Sequence, residues 1–449
     1  MKKNLKKFVS LGLACAMAIS MVACGGETTQ APVSESASES KAGAAEAETK
    51  EPTEEITLTF QTYSKTDQDY FESIGLVDLY KEIKPNVTIE LINSKDDVQM
   101  AEDIKIKAAA GELPDIMDLK KEWMLSFKDE LVPLNDLDCV ANSPAGETNM
   151  VDGNVLAIRN MYFSEFVYYK KSVFEAYGIS VPQTWDEFIA VAQTIKEKGE
   201  YTPILTGAKD AWVLYPFNEF MPHLVAGSGN YWNEMAEDAT PFDEGKPIYE
   251  AYALIDQLYK ADVFEEDPLG IGWDQASTMF GTEGVMVVSG QWYLSNLKEL
   301  LDGDLSDVGV FFLPARTDVS QPLNYLVEGT EGGLAISKSS EHIEEAKEFI
   351  EWMNSKDILS GWAEGTSNFC VFDDYGVSLD PVFDEAFETE NLNKLSLNNG
   401  DAKFVAIRDA LQFDVKGIGQ RMLAGEDFKE ILADLNSKWA DAKNAAETE

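Results

Sequence analysis

From residue 56 to about residue 445, short β-patterned runs alternate with amphipathic helical stretches. That alternation restricts the chain to an α/β fold with mainly parallel sheets. Ile56-Thr57-Leu58-Thr59-Phe60 alternates apolar and polar residues as a half-buried strand does. Val87 to Leu91 reads as a second strand and Leu113 to Met117 as a short buried one; others fall at Gly284–Ser289, Val308–Phe312 and Leu334–Ile336. Helices lie between them. Thr184-Trp185-Asp186-Glu187 fits a capping box, and Phe188, Val191, Ala192 and Ile195 then share one face before Gly199 stops the helix. Ile343, Ala346, Ile350 and Met353 form a second stripe; Phe428, Ile431, Leu432, Leu435 and Trp439 form a third. A body of this length accommodates two domains.

What precedes this body concerns location. Lys2, Lys3, Lys6 and Lys7 open the chain, and an apolar or small-residue run from Phe8 to Ala23 ends at Cys24. The pattern is that of a secretory signal covering residues 1–23, and the run is shorter than the roughly 20 apolar residues a membrane helix needs. Met21-Val22-Ala23-Cys24 resembles a bacterial lipobox, in which the cysteine becomes the lipid-bearing (palmitate-type) first residue of the mature protein. An ordinary cleaved signal with an incidental cysteine is the plainer reading. Residues 24–55 hold no aromatic residue and consist largely of Gly, Ala, Ser, Thr, Pro and Glu. They cannot bury enough apolar surface to offset ordering, so a flexible tether is expected.

The charge narrows the partners. The chain has 80 Asp and Glu against 36 Lys and Arg, a formal net charge of -44. Such a chain repels nucleic acid and anionic lipid, and it suits a neutral or cationic ligand better than an anionic one. Beyond Cys24 only Cys139 and Cys370 remain, there is no CxxC pair, and the two histidines, His223 and His342, form no HExxH pattern. GxSxG, Walker and GxGxxG motifs are missing, and carboxylates are too abundant for any pair to signal catalysis. No catalytic residue, metal or cofactor is expected.

Tyr168-Tyr169-Lys170-Lys171-Ser172-Val173-Phe174, Tyr177-Gly178 and Pro182-Gln183-Thr184-Trp185-Asp186-Glu187-Phe188 together resemble a signature of extracellular solute-binding proteins of the maltose-binding type. Leu113–Ile116, Asp152–Ile158, Phe280–Met286 leading to Gly290-Gln291-Trp292, Val310–Pro314 and Gly332–Lys338 follow in the family's order. Lys170, in place of the usual Asn, and Arg159-Asn160 depart from it. The resemblance implies two α/β lobes closing on a ligand about a hinge. It places residues 56–160 with 326–355 in an N-lobe and 161–325 with 356–445 in a C-lobe. The hinge would run through 159–165, 322–328 and 354–358. On that division a Cys139–Cys370 bridge would tie the lobes together, so both are expected as free thiols.

The implied function is that of a lipid-anchored, monomeric binding component of an ABC importer. It would capture a sugar or oligosaccharide on the extracytoplasmic face of a bacterial membrane and deliver it to permease subunits. Two other readings remain open: a trap for a polyamine or other cationic solute, and a surface glycan-degrading enzyme.

Ligands of open α/β sheets sit beyond the carboxyl ends of strands, which points to Tyr63, Asp118, Trp292, Glu328 and Glu331. Sugars offer CH faces to aromatic rings and hydroxyls to acids and amides. Trp292 matches the position at which family members stack a sugar, and Trp212 and Tyr215 match an aromatic segment of the C-lobe wall. Trp273 is a further candidate ring, and Glu165 a further acceptor near the hinge. An isolated Trp more often packs a core, and Trp185, Trp352 and Trp439 are read that way.

Overall fold

The computed structural model describes residues 54–143, 145–329 and 332–446. The signal, Cys24, all but the last two residues of the tether, and Glu331 lie outside the described residues.

Two sheets organise the body. The first has four strands in the spatial order Gly333–Ile336, Ile116–Leu119, Ile56–Thr62, Val87–Asn93. Its three N-terminal strands run parallel, and Gly333–Ile336 returns antiparallel beside Ile116–Leu119. Leu58, Phe60, Ile89, Ile116 and Ile336 point into one core with Phe71, Tyr80, Phe349 and Met353 from covering helices. Ser64 accepts from the Asp67 N–H to start one of these helices, and Gly75, at φ 64°, ends it in the left-handed region.

The second sheet has seven strands built around Met161–Lys170. That strand is antiparallel to Gly284–Gly290, Val308–Phe311, Leu323–Glu328 and Phe369–Cys370. Only the outer pairings, Thr202–Leu205 with Gly284–Gly290 and Leu323–Glu328 with Leu392–Ser396, are parallel. The expectation of mainly parallel sheets thus holds for the first sheet and fails for the second. The central strand enters from the other lobe and so opposes its neighbours. Met161 at its start belongs to the first core, while Val167 and Tyr169 at its end belong to the core of the second body.

The capping helix forms as its sequence dictates. Thr184 caps Trp185–Lys198 by accepting from the Glu187 N–H, although Glu187 reaches back to the Gln183 N–H rather than to the cap's own. Trp185 is fully buried, with its indole N–H donated to the Leu254 carbonyl at 2.9 Å. Trp439 is fully buried too. Trp352 is half-buried against Tyr80 in the first body.

One segment changes sides relative to the sequence reading. Helix Lys356–Gly365, read above as C-lobe, buries Leu359, Trp362 and Ala363 in the first core. Trp362 packs 5.2 Å from Phe71 and donates its indole N–H to Asp67 at 2.7 Å, contacts available only there. Cys370 packs on that same core, to which buried Cys139 also belongs; neither is in a disulfide, and a bridge between them would not span the two bodies.

Candidate functional site

The second body gathers four of the candidate aromatic residues. Trp212 lies on the 3-10 turn Ala211–Leu214, and Tyr215 opens the helix Tyr215–Asn218. Trp273 starts helix Trp273–Met279, and its N–H is held by Asp210 at 2.8 Å, which ties that helix to the Trp212 turn. Trp292 follows the buried strand Gly284–Gly290. The three indoles converge: Trp212 and Trp273 are 5.3 Å apart, Trp273 and Trp292 5.6 Å, Trp212 and Trp292 5.9 Å. Tyr215 stacks beside Trp212 at 6.4 Å and 21°. All four rings are half-buried, unlike the wholly buried Trp185 and Trp439. An indole fixed on one side and open on the other is what a stacking surface requires.

Gly290 makes room for this arrangement. A Cβ there would stand 2.2 Å from the Trp292 indole nitrogen, so the ring edge folds across a backbone that only glycine leaves open.

The first body supplies a different wall. Tyr63, at the end of its strand, meets Trp123 edge-on at 5.4 Å. The Lys120 ammonium sits over both rings, 5.4 and 5.5 Å from their centres, and is paired with Asp97 at 2.5 Å. Asp118 is only 1% exposed and forms an ion pair with Arg159. That carboxylate is therefore not the open acceptor expected from its strand-end position; the guanidinium covers it. Gly333, at φ 113°, permits the close approach of the neighbouring segment, since a Cβ would lie 2.4 Å from the Ile158 carbonyl oxygen.

Carboxylates lie where the chain crosses between the bodies. Glu165 is 8% exposed, and its Oε2 accepts from the Tyr215 hydroxyl at 2.6 Å. Burial holds its carboxyl well above the usual range; Tyr215 opposes this, and Glu328 and Glu219 add to it. Glu328 is half-buried and accepts from the Asn399 amide at 3.3 Å. Burial, with Glu219 next in weight, pushes its pKa up to about 8, against the pull of Lys416, Asn399 and Lys120. Glu219 is paired with Lys416 at 3.1 Å. Lys121 reaches from the first body to Asn398 at 3.2 Å and Asp401 at 3.5 Å in the second.

The structure thus brings Glu165, Trp212, Tyr215, Trp273 and Trp292 into one cluster, with Glu328 electrostatically coupled to Glu165. Tyr63 belongs to the first body, beside Trp123 and Lys120, and Asp118 is turned inward. Sequence reasoning missed Trp123, Lys120, Glu219, Lys416 and Arg159. The strand-end argument that found Asp118 extends by one turn to Lys120 and Trp123. No local signal marks Glu219 and Lys416, which meet only in the folded chain.

Among the described residues no group of three or more His, Cys, Asp or Glu could hold a metal ion, and no helix is long and apolar enough to cross a membrane.

The fold, a crossing-strand pair of α/β bodies with polar and aromatic walls between them, is that of a two-lobed periplasmic-binding-protein class. Residues 64–358 match the family described as bacterial extracellular solute-binding protein, and the chain belongs to that family. It is 24% identical over 263 residues to the multiple sugar-binding protein of Streptococcus mutans, covering 56% of this chain and 61% of that one. It is 21% identical over 318 residues to the melibiose/raffinose/stachyose-binding protein MelE of Bacillus subtilis, covering 69% and 73%. The apo structure of RafE from Streptococcus pneumoniae superposes with a TM-score of 0.66 at 19% identity, over 88% of this chain and all of that one.

Proposed function

We propose that this protein captures a neutral sugar or oligosaccharide outside the membrane and delivers it to the permease subunits of an ABC importer. The observation that carries the reading is the convergence of Trp212, Trp273 and Trp292, each half-buried and within 6 Å of the others. The sugar-binding names of the relatives from Streptococcus mutans and Bacillus subtilis support it. Trp292, Trp212 and Trp273 would stack on sugar faces, with Tyr63 and Trp123 facing them. Glu328 and Glu331 would accept from hydroxyls. Tyr215 would take part only indirectly, because its hydroxyl is already engaged.

A polyamine trap would want the carboxylates unneutralised. Instead Lys120, Lys416 and Arg159 are each paired with an acid in this region, which favours a neutral solute. The protein has no evident chemistry of its own in this reading. The lobes change over where the chain crosses near Met161, Glu328 and Phe369, and closure about that line would trap the solute.

Cys24 would carry the lipid that holds the monomer at the extracytoplasmic face, with residues 25–55 as leash. Cys24→Ser should then appear in the soluble fraction, because residues 25–55 offer no second anchor. Full retention with membranes would refute the anchor.

Incubation with raffinose, stachyose, mannotriose and spermidine, read by thermal shift and by product analysis, tests the ligand class. A shift with an oligosaccharide and no product is expected. A shift with spermidine alone, or any hydrolysis product, would overturn the reading.

A further inference from the structure

Glu165 and Tyr215 do not have the geometry of groups waiting for a solute. The Tyr215 hydroxyl is used twice: it donates to Glu165 Oε2 at 2.6 Å and accepts from the Gly290 N–H at 3.1 Å. Gly290 lies opposite Glu165 in the antiparallel register, so the three groups close a small ring across two strands and a helix start. Each leads to a different part of the aromatic wall. Tyr215 stacks on Trp212 and is braced from below by the edge of Phe220 at 5.2 Å. Gly290 carries the Trp292 indole folded over its own backbone.

The other carboxyl oxygen behaves differently. Glu165 Oε1 is buried and has no hydrogen-bond partner among the described residues. Glu165 lines a cavity of about 20 Å³ with Pro216, Phe220, Leu224, Phe312 and Asn324 among its walls, room for about one water molecule. The Asn324 amide is already spent, donating to the Leu224 carbonyl and accepting from Asn393.

We propose that Glu165 and Tyr215 are positioning residues, a protonated-acid latch that fixes the Trp212 and Trp292 rings in register without touching the solute. This rests on the sugar-platform reading above and deepens it. With Oε2 accepting from Tyr215, the acid proton resides on Oε1, which accepts no hydrogen bond from any described residue. The surroundings keep the proton in place. Burial disfavours the charged form, and the neighbouring Glu328 and Glu219 disfavour it further. No lysine or arginine is paired with Glu165 among the described residues. Tyr168 on the same strand, which donates to the Gly290 carbonyl at 3.0 Å, adds no positive charge. A glutamine has the same shape as the protonated acid and presents an acceptor to Tyr215 and a donor at the Oε1 position. A carboxylate would present two acceptors.

The test separates the latch from the identity of the solute. Protein labelled with 5-fluorotryptophan gives ¹⁹F resonances for Trp212 and Trp292, assigned by Trp→Phe substitution and read without any ligand. Tyr215→Phe and Glu165→Ala should displace both resonances and leave those of Trp185 and Trp362 in place, while Glu165→Gln should restore the Trp292 resonance that Glu165→Ala displaces. Raffinose or stachyose, whichever shifts the wild-type melting curve, should bind Tyr215→Phe about tenfold more weakly, the scale of a lost buried hydrogen bond. Unmoved Trp212 and Trp292 resonances in Tyr215→Phe would overturn the latch, and so would a Glu165→Gln variant that behaves like Glu165→Ala. If the resonances move as expected but no oligosaccharide binds the wild type, the latch stands and the sugar reading falls.

Discussion

The two walls are built from opposite materials. The wall of the second body is three converging indoles and a tyrosine whose hydroxyl is bonded to the Gly290 backbone and the Glu165 carboxyl. The wall of the first body is a tyrosine and a tryptophan under a lysine, with Asp118 and Arg159 paired behind them. The first kind of wall gains by excluding water from a broad apolar face; the second fixes polar groups by mutual charge compensation. Damage should therefore read out differently: loss of affinity on one side, loss of stability on the other.

The largest contrast comes from Asp118→Ala. Removing one partner of a buried pair leaves Arg159 uncompensated, an expected cost of about 3–5 kcal/mol in folding stability by denaturant titration. A variant as stable as wild type would show that the pair is solvated and that Asp118 is available to a solute. Trp292→Ala should do the reverse, costing roughly 2–4 kcal/mol of affinity by calorimetry while the ligand-free melting temperature hardly changes. Trp185→Ala is its counterpart: a buried indole whose loss costs about 3–5 kcal/mol of stability. Unchanged affinity with early melting in Trp292→Ala would make that ring core.

A smaller effect concerns pH. Glu328 has its pKa raised from 4.5 to about 8 in this conformation, so the conformation binds a proton that a solvated Glu328 would have released. The stabilisation is complete below about pH 4.5 and is lost as pH rises through about 8. Affinity should then weaken between about pH 4.5 and 8 by at most about tenfold per unit, and Glu328→Gln should flatten that slope. A steeper fall in Glu328→Gln would move the titrating group elsewhere. Smallest of all, Asp401→Asn removes the charge of a largely solvent-exposed acid that Lys121 reaches between the bodies, and should change affinity by about 0.2–1 kcal/mol or less.

The contrast between the walls also marks how much could be read from the chain itself. The strands at 56, 87, 284, 308 and 334, the Thr184 cap and the helical stripes follow local periodicity, and they stand where the pattern puts them. Trp292 and Trp212 were legible as rings because each falls within a block that resembles its family. Their half-buried state and mutual contacts were not, being set by partners 60 to 80 residues away. Asp118 was misjudged as an open acceptor because a strand-end position says nothing of Arg159 across the sheet. Helix Lys356–Gly365 was assigned to the wrong body because only Asp67 and Phe71, about 290 residues earlier, decide where Trp362 packs.

The crossing strand has one further consequence. Val327 and Glu328 pair with Ser164 and Phe163, and Phe369 and Cys370 pair with Tyr162 and Met161, so both returns are laced to the same few residues of one strand. If the bodies hinge there as proposed above, three connections gathered along a single line would leave them one soft rotation and oppose splaying or sliding. The search between open and shut would then be nearly one-dimensional. A solute held on one wall would then need the other to approach along a single path.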